Sequence, residues 1–259
     1  MNYYASRISR SWLRDYPQNL LLPPDERTRR SSSPDGDSIN PLLHQIKIVL
    51  KLYDYLSSGN CYKIRLLLNQ LGIAYQRVPI DIVNGESRTP EFLERNPLGK
   101  TPVLEIKPGQ YLAESNAIIY YLADGTEFLP TDSGSETLHE RWERAQVMQW
   151  LFFEQYSHEP NIATVRFWIS TLHQAEQKRE AIKQKQILGY TALEVMEKHL
   201  AKHDYFVGER YSIADIALYA YTHVAEEGNF DLSQFPAILA WFDRIVSQPN
   251  YIPITQSIG

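Results

Sequence analysis

The sequence predicts two joined folding units, an α/β domain of order β-α-β-α-β-β-α followed by an all-helical domain. Three observations carry this. Strand-like and helix-like segments alternate across residues 47–123. Residues 124–136 are polar, with two glycines and one proline, and read as a linker. Over 137–259 only helical periods remain. The chain has 259 residues, 43% of them hydrophobic and 12% aromatic, enough apolar material for a sizeable core. A net charge of −5 argues against sequence-independent nucleic-acid binding, which needs a clustered basic face. One cysteine excludes an internal disulfide framework, a Cys-x-x-Cys redox pair and a cysteine-based zinc site. It fits a reducing compartment. No apolar run approaches the roughly 20 residues of a membrane-spanning helix.

Residues 1–46 differ from the rest. They hold five of the fifteen prolines and seven serines, and their arginines are nearly balanced by acids. With no apolar period they read as a disordered leader. They lack the apolar segment of a secretory signal, and their acidic residues make only a partial match to an organelle transit peptide.

The elements run in order along the chain. Ile48 to Tyr55 is β-rich and ends at the turn signal Ser57-Ser58-Gly59-Asn60. Ile64, Leu67, Leu68 and Leu71 recur at helical spacing, with Gly72 as the stop. Ala74 to Ile80 forms a second strand, Asn84-Gly85 a turn, and Pro90 starts a short helix. Val103 to Ile106 and Gln110 to Leu112 pair as a hairpin around Lys107-Pro108-Gly109. Ser115 opens a helix carrying Ile118, Ile119 and Leu122. Beyond the linker, Leu138, Trp142, Ala145, Met148 and Phe152 mark a long amphipathic helix, which Pro160 interrupts or kinks. A Lys/Gln-rich helix continues to about Leu200. Two further stripes come after it, Ile213-Ile216-Ala217-Ala220 and Ile238-Trp241-Phe242-Ile245. Ser212 and Asp215 form a capping box before the first of these, a structural role only.

Four separated segments carry a family resemblance: L-Y-D-Y-L-S-S-G-N-C-Y-K-I-R, N-P-L-G-K-T-P-V-L, E-S-N-A-I-I-Y-Y-L and S-I-A-D-I-A-L. In this order and spacing, from about Leu50 to Tyr251, the chain resembles the glutathione S-transferases. Ser58 is similar to the serine or threonine position of their theta-like and bacterial nu-like branches, and Asn60 to the asparagine of the nu-like branch. The resemblance implies a thioredoxin-like N-terminal domain and an α-helical C-terminal domain. It also implies a cytoplasmic, homodimeric detoxification enzyme that uses glutathione as co-substrate and no metal.

The motifs also name site residues. A free thiol has a pKa of about 8.5, so the enzyme must favour thiolate. Ser58 and Asn60 can cap the first helix; the resemblance gives them a catalytic role as donors to sulfur, with Ser57 the alternative hydroxyl. Thr101-Pro102, cis in the family, would present the Thr101 backbone to glutathione like an added strand. Lys100 would attract the glycyl carboxylate. Ser115, at a helix N-terminus, would bind the γ-glutamyl carboxylate while Glu114 accepts from the ammonium. Cys61 is expected to face elsewhere as a small buried thiol. Tyr53 and Tyr55 do not stand where the tyrosine-based classes need one.

For the second substrate, the segment from Phe152 to Pro160 with Arg166 to Trp168 could wall an electrophile pocket or fill the bundle interior. Tyr156 and Arg166 are the expected electrophile contacts. Adjacent His158 and Glu159 beside a helix break make a poor metal site. The primary expectation is conjugation of the glutathione thiolate to a small electrophile. Glutathione-dependent disulfide reduction and non-catalytic binding remain open. Maleylacetoacetate isomerase is a weaker match, because against its S-S-C-x-W-R-V-R pattern S-S-G-N-C-Y-K-I-R is one residue longer, lacks the cysteine at the expected place and lacks the Trp.

Overall fold

The computed structural model describes residues 49–130 and 137–256. The expected leader, and the 131–136 half of the expected linker, lie outside the described residues.

The N-terminal domain is a four-stranded sheet of order β2-β1-β3-β4 with helices on both faces. The strands are β1 (Leu50–Asp54), β2 (Tyr75–Pro79), β3 (Val103–Lys107) and β4 (Gln110–Ala113). β1 runs parallel to β2 and antiparallel to β3, and β3 and β4 form the expected hairpin. The two-residue period sorts the side chains. Leu52 lies opposite Leu104, and both enter the main core. Tyr53 lies opposite Val103, and both pack with Phe92 on the other face. The main core also takes Ile64, Leu67 and Leu68 of α1 (Gly59–Gln70) and Ile118, Ile119 and Leu122 of α3 (Ser115–Ala123). The short α2 (Pro90–Arg95) begins with Thr89 as cap and Pro90 at its first position, and it brings Phe92 to the second cluster.

The helical domain comprises α4 (Leu138–Phe153), α5 (Glu159–Arg166), α6 (Arg179–Leu200), α7 (Ile213–Thr222) and α8 (Pro236–Val246). Helical turns run without a gap through Pro160. A wide helical turn at Glu154–His158, with one residue more than an α-turn, joins α4 to α5. Pro160 then falls in the first turn of α5, where a missing N–H costs least. A second wide turn, Phe167–Thr171, ends α5. The capping box of α7 forms as its sequence requires: Asp215 accepts from the Ser212 amide at 3.0 Å and from Trp241 Nε1 of α8 at 3.0 Å. α7 lies among α1, α3, α4 and α5, so the helical domain and the sheet domain share one core.

Buried charge fixes the turn between β1 and α1. Asp54 is fully buried and paired with Arg65 at 2.5 Å and with Arg77. Arg65 Nη2 also donates to the carbonyls of Leu56 at 2.7 Å and Ile254 at 2.8 Å.

Candidate functional site

A cleft of about 440 Å³ opens where that turn, the 96–102 loop and the N-terminus of α3 face α5. Ser57, Ser58, Asn60, Lys100, Thr101, Pro102, Glu114, Ser115 and Arg166 all line it. The sequence separates these residues by up to 109 positions, and the fold returns them to one place.

Ser58 is the N-cap of α1, with an extended backbone, and its Oγ accepts from the Cys61 amide at 3.3 Å. Its own proton remains to be given. Asn60, in the first turn, is oriented from both ends of its amide. Oδ1 accepts from Ser115 Oγ at 3.1 Å, and Nδ2 donates to Glu159 Oε1 at 3.2 Å. The two halves of the expected glutathione site are thus hydrogen-bonded to each other. Ser115 Oγ in turn accepts from Lys63 Nζ at 3.2 Å, a fully buried ammonium paired with Glu154 at 3.0 Å. This places a cation behind the N-terminus of α3, whose first amides lack helical partners.

Glu114 precedes that helix with φ 66°, a left-handed backbone that a non-glycine residue rarely adopts. Such strain costs of order 1–3 kcal/mol and persists where the surroundings hold it. Thr101-Pro102 is cis. The loop before it is shaped by Asn96, whose Nδ2 donates to the Lys100 carbonyl at 2.8 Å, and by Arg88, whose Nη1 donates to the Leu98 carbonyl at 2.9 Å. Gly99 sits at φ 58° with Arg88 and the Ser87 carbonyl where a Cβ would go, 2.7 Å away. The glycine of N-P-L-G-K-T-P is therefore required on two grounds. Arg88 brings a second cation to the cleft beside Lys100.

On the helical side, Arg166 is buried, and its head group is already engaged. Nη1 donates to the Ser57 carbonyl at 2.7 Å and Nε to Glu227 at 2.8 Å. It borders the cleft by holding the turn. Tyr156 does not line the cleft and is 87% exposed. The wide turn at 154–158 directs Gln155 to the cleft in its place. The rest of this wall is polar, with Glu159, Thr164 and Thr171, and its apolar members are Ala163 and Phe167.

Burial, then repulsion from Glu154, pushes the Glu159 carboxyl above its ordinary pKa, against the pull of Lys63 and Asn60. Cys61 is fully buried, and burial followed by the charge of Asp54 pushes its thiol up to about 12. Its Sγ accepts from the Tyr55 amide at 3.4 Å and lies within reach of Ser58 and Thr101. The thiol therefore sits beneath the turn rather than away from it, in its protonated form. Among the described residues, no three His, Cys, Asp or Glu side chains gather as a metal cage, and no helix is long and apolar enough to cross a membrane.

The motifs do not reveal Arg88 or Tyr221, both of which line the cleft, whereas Glu159 lies in the segment expected to wall an electrophile pocket. Arg88 precedes a helix cap. Tyr221 belongs to a helix whose apolar period reads as core.

Comparison with known proteins places the fold in a family. Residues 48–124 match the family model "Glutathione S-transferase, N-terminal domain" and residues 153–249 match "Glutathione S-transferase, C-terminal domain". A curated relative, Disulfide-bond oxidoreductase YfcG of Escherichia coli (strain K12), is 31% identical over 208 residues, 78% of this chain and 92% of that protein. A crystal structure of a glutathione S-transferase from Pseudomonas fluorescens Pf-5 is 52% identical. It covers 80% of this chain and 100% of its own, with a TM-score of 0.75. A glutathione transferase family member from the same source, solved with two glutathione bound, is 27% identical with a TM-score of 0.69. The match covers 83% of this chain and 95% of that one. With its thioredoxin-like and helical domains both matched, the chain belongs to the glutathione S-transferase family.

Proposed function

We propose that this chain is a glutathione S-transferase that joins the glutathione thiolate to small electrophiles. One observation carries the reading: Ser58 and Asn60 at the start of α1, Thr101-Pro102, and Glu114-Ser115 all line a single cleft, and the first and last of these motifs are joined by the Asn60–Ser115 hydrogen bond. In it, the amides of α3 with Ser115 take the γ-glutamyl carboxylate, and Glu114 takes the ammonium. The Thr101 backbone pairs with the cysteinyl unit, and Lys100 attracts the glycyl carboxylate. Ser58 and Asn60 favour thiolate over thiol at the N-terminus of α1. The thiolate then attacks the electrophile, and the leaving group departs with its electron pair.

A second reading, glutathione-dependent reduction of small disulfides, is favoured by the polar wall that Gln155, Glu159, Thr164 and Thr171 give the second-substrate side. The relative named as a disulfide-bond oxidoreductase and the neighbour holding two glutathione molecules support it. We place the enzyme in the cytoplasm as a homodimer acting in detoxification. Leu138 and Trp142 of α4 and Tyr121 of α3 are exposed apolar side chains that a second copy could cover.

The test is a side-by-side assay of the purified chain with glutathione against aryl halides, isothiocyanates, peroxides and a small disulfide. Conjugation above disulfide turnover supports the first reading and the reverse order the second. Removing the Glu114 and Ser115 side chains together should weaken glutathione binding at least tenfold, about 1.4 kcal/mol. Unchanged calorimetric affinity in that double variant ends the site assignment.

A further inference from the structure

Glu159 opens α5 on the second-substrate wall of the cleft, and it is half-buried there. Its two carboxyl oxygens are placed differently. Oε1 accepts from Asn60 Nδ2 at 3.2 Å, and Asn60 is a residue the reading above puts at the sulfur. No hydrogen bond among the described residues engages Oε2. One oxygen is therefore fixed beside the sulfur donors, and the other is available to a molecule in the cleft.

The charges around this carboxyl are engaged elsewhere. Lys63 of α1, the buried ammonium, pairs with Glu154 at 3.0 Å. Two carboxyls thus compete for one buried cation, and Glu154 holds it. Lys185 of α6 donates to the Pro160 carbonyl at 2.7 Å, and Arg166, two turns further along α5, is held by Ser57 and Glu227. Arg88 and Lys100 of the facing loops are exposed. His158 is buried and neutral, and burial keeps the Tyr221 phenol protonated. The Glu159 amide donates to the Glu154 carbonyl inside the wide turn, so it gives the carboxylate no support. Burial, then the Glu154 charge, hold the proton on Glu159 to higher pH than on an ordinary carboxyl.

We propose that Glu159 is the general acid of the cleft: it gives its proton to the atom of the second substrate that receives the electron pair of the broken bond, and so favours substrates in which that atom is sulfur or oxygen. This rests on the glutathione reading above and deepens it by naming the substrate class. In a disulfide, the glutathione thiolate bonds to one sulfur, the S–S bond breaks, and its electron pair goes to the other sulfur, which takes the Glu159 proton. In an epoxide, the thiolate bonds to carbon, the C–O bond breaks, and the ring oxygen takes the proton. Solvent then returns a proton to the carboxylate. An aryl halide needs no such acid, because halide is stable as the anion.

The test is Glu159→Gln in the full chain, assayed with glutathione and three probes: bis(hydroxyethyl) disulfide, styrene oxide and chlorodinitrobenzene. Glutamine keeps an oxygen that accepts from Asn60, so it preserves any positioning role and removes only the proton. Glutathione affinity by calorimetry should stay within about threefold. Turnover of the disulfide and the epoxide should fall at least tenfold, and turnover of chlorodinitrobenzene should stay within about threefold. In the unsubstituted chain the disulfide rate should decline at high pH as the carboxyl loses its proton, and the variant should lose that decline. Unchanged disulfide and epoxide turnover in the variant overturns the proposal and leaves the glutathione reading intact. Equal losses on all three probes also overturn it, and make Glu159 a support for Asn60 alone. A disulfide rate in the unsubstituted chain that never declines with pH overturns it without any substitution. Failure of the unsubstituted chain to bind glutathione removes the parent reading, and the proposal with it.

Discussion

Lys63 Nζ lies 3.0 Å from Glu154 Oε1, and neither side chain has any exposure to solvent. The pair joins α1 to the wide turn after α4, and so ties the sheet domain to the helical one. Each partner has further support. Lys63 donates to Asn116 Oδ1 at 3.0 Å, and Glu154 accepts from Asn116 Nδ2 at 2.9 Å and Gln155 Nε2 at 2.9 Å. Removing one partner strands a buried charge, which costs about 3–5 kcal/mol. Lys63→Met should therefore lower stability by that amount in urea unfolding. Replacing Glu154 by Leu in the same chain should recover most of it, because an apolar pair needs no solvation. A loss below about 1 kcal/mol in the single variant would show that water reaches the pair.

Acid should weaken the fold through His158. The residue is fully buried, and burial, then Lys63, pushes its pKa down to about 3. Its tautomer is set by Thr222. That hydroxyl gives its proton to the Leu218 carbonyl at 2.6 Å, so His158 Nε2, 2.8 Å away, must be the donor to it. Nδ1 has no partner, and a proton there would stand uncompensated beside Lys63. The unfolded chain takes that proton near pH 6.5, whereas the folded chain refuses it until about pH 3. The stability from this group is present above pH 6.5 and drains away as pH falls toward 3. At pH 5 the loss should be about 2 kcal/mol by linkage. His158→Gln should flatten the stability profile between pH 7 and 5, and an unchanged slope would assign the acid sensitivity to another group.

The order of elements, the α/β-to-helical transition and the motifs that line the cleft are legible in the sequence because each leaves a local mark. These marks are a two-residue alternation at Leu52 and Tyr53, a proline after Thr101 and a serine before an apolar run at Ser115. The residues the sequence hides act only through tertiary contact. The bond between Asn60 and Glu159 spans 99 positions, so no local pattern shows it even though the segment holding Glu159 is expected at the pocket, and Tyr221 meets Gly59 from another domain. Tyr156 departs from its expected place for a different reason. An α-period cannot anticipate the extra residue in the 154–158 turn, which rotates the side chains there and directs Gln155 inward. Arg166 does border the cleft as expected, but its donors are engaged by Ser57 and Glu227, contacts that no spacing encodes.

Gly59→Ala tests the close approach of the domains. The new methyl group would collide with both a ring and a backbone oxygen, and a carbonyl in α7 cannot step aside cheaply. Overpacking of this kind costs about 1–3 kcal/mol. The melting temperature should fall by several degrees, while Gly59→Ala paired with Tyr221→Ala should recover only part of the loss, because the Ala220 carbonyl remains. Full recovery would mean that the ring alone sets the limit.

Arg166 offers the sharpest separation of structure from chemistry. One guanidinium spans the Ser57 carbonyl at 2.7 Å and Glu227 at 2.8 Å, and so fixes the residue immediately before the Ser58 cap. A lysine keeps the charge but lacks the planar fork that meets two acceptors at once. Arg166→Lys should leave glutathione affinity within about threefold, since its hydrogen bonds go to Ser57 and Glu227 and not to Lys100, Thr101, Glu114 or Ser115. It should lower kcat/KM about tenfold, because a loosened turn misplaces the sulfur donors, and misplacement by an ångström can cost about a hundredfold. Glu227→Gln should do less, because Arg166 would still hold Ser57 and Glu227 is partly exposed. Kinetics of the two variants at saturating glutathione decide the matter. If Glu227→Gln is as damaging as Arg166→Lys, the ion pair rather than the Ser57 tether is what the site requires.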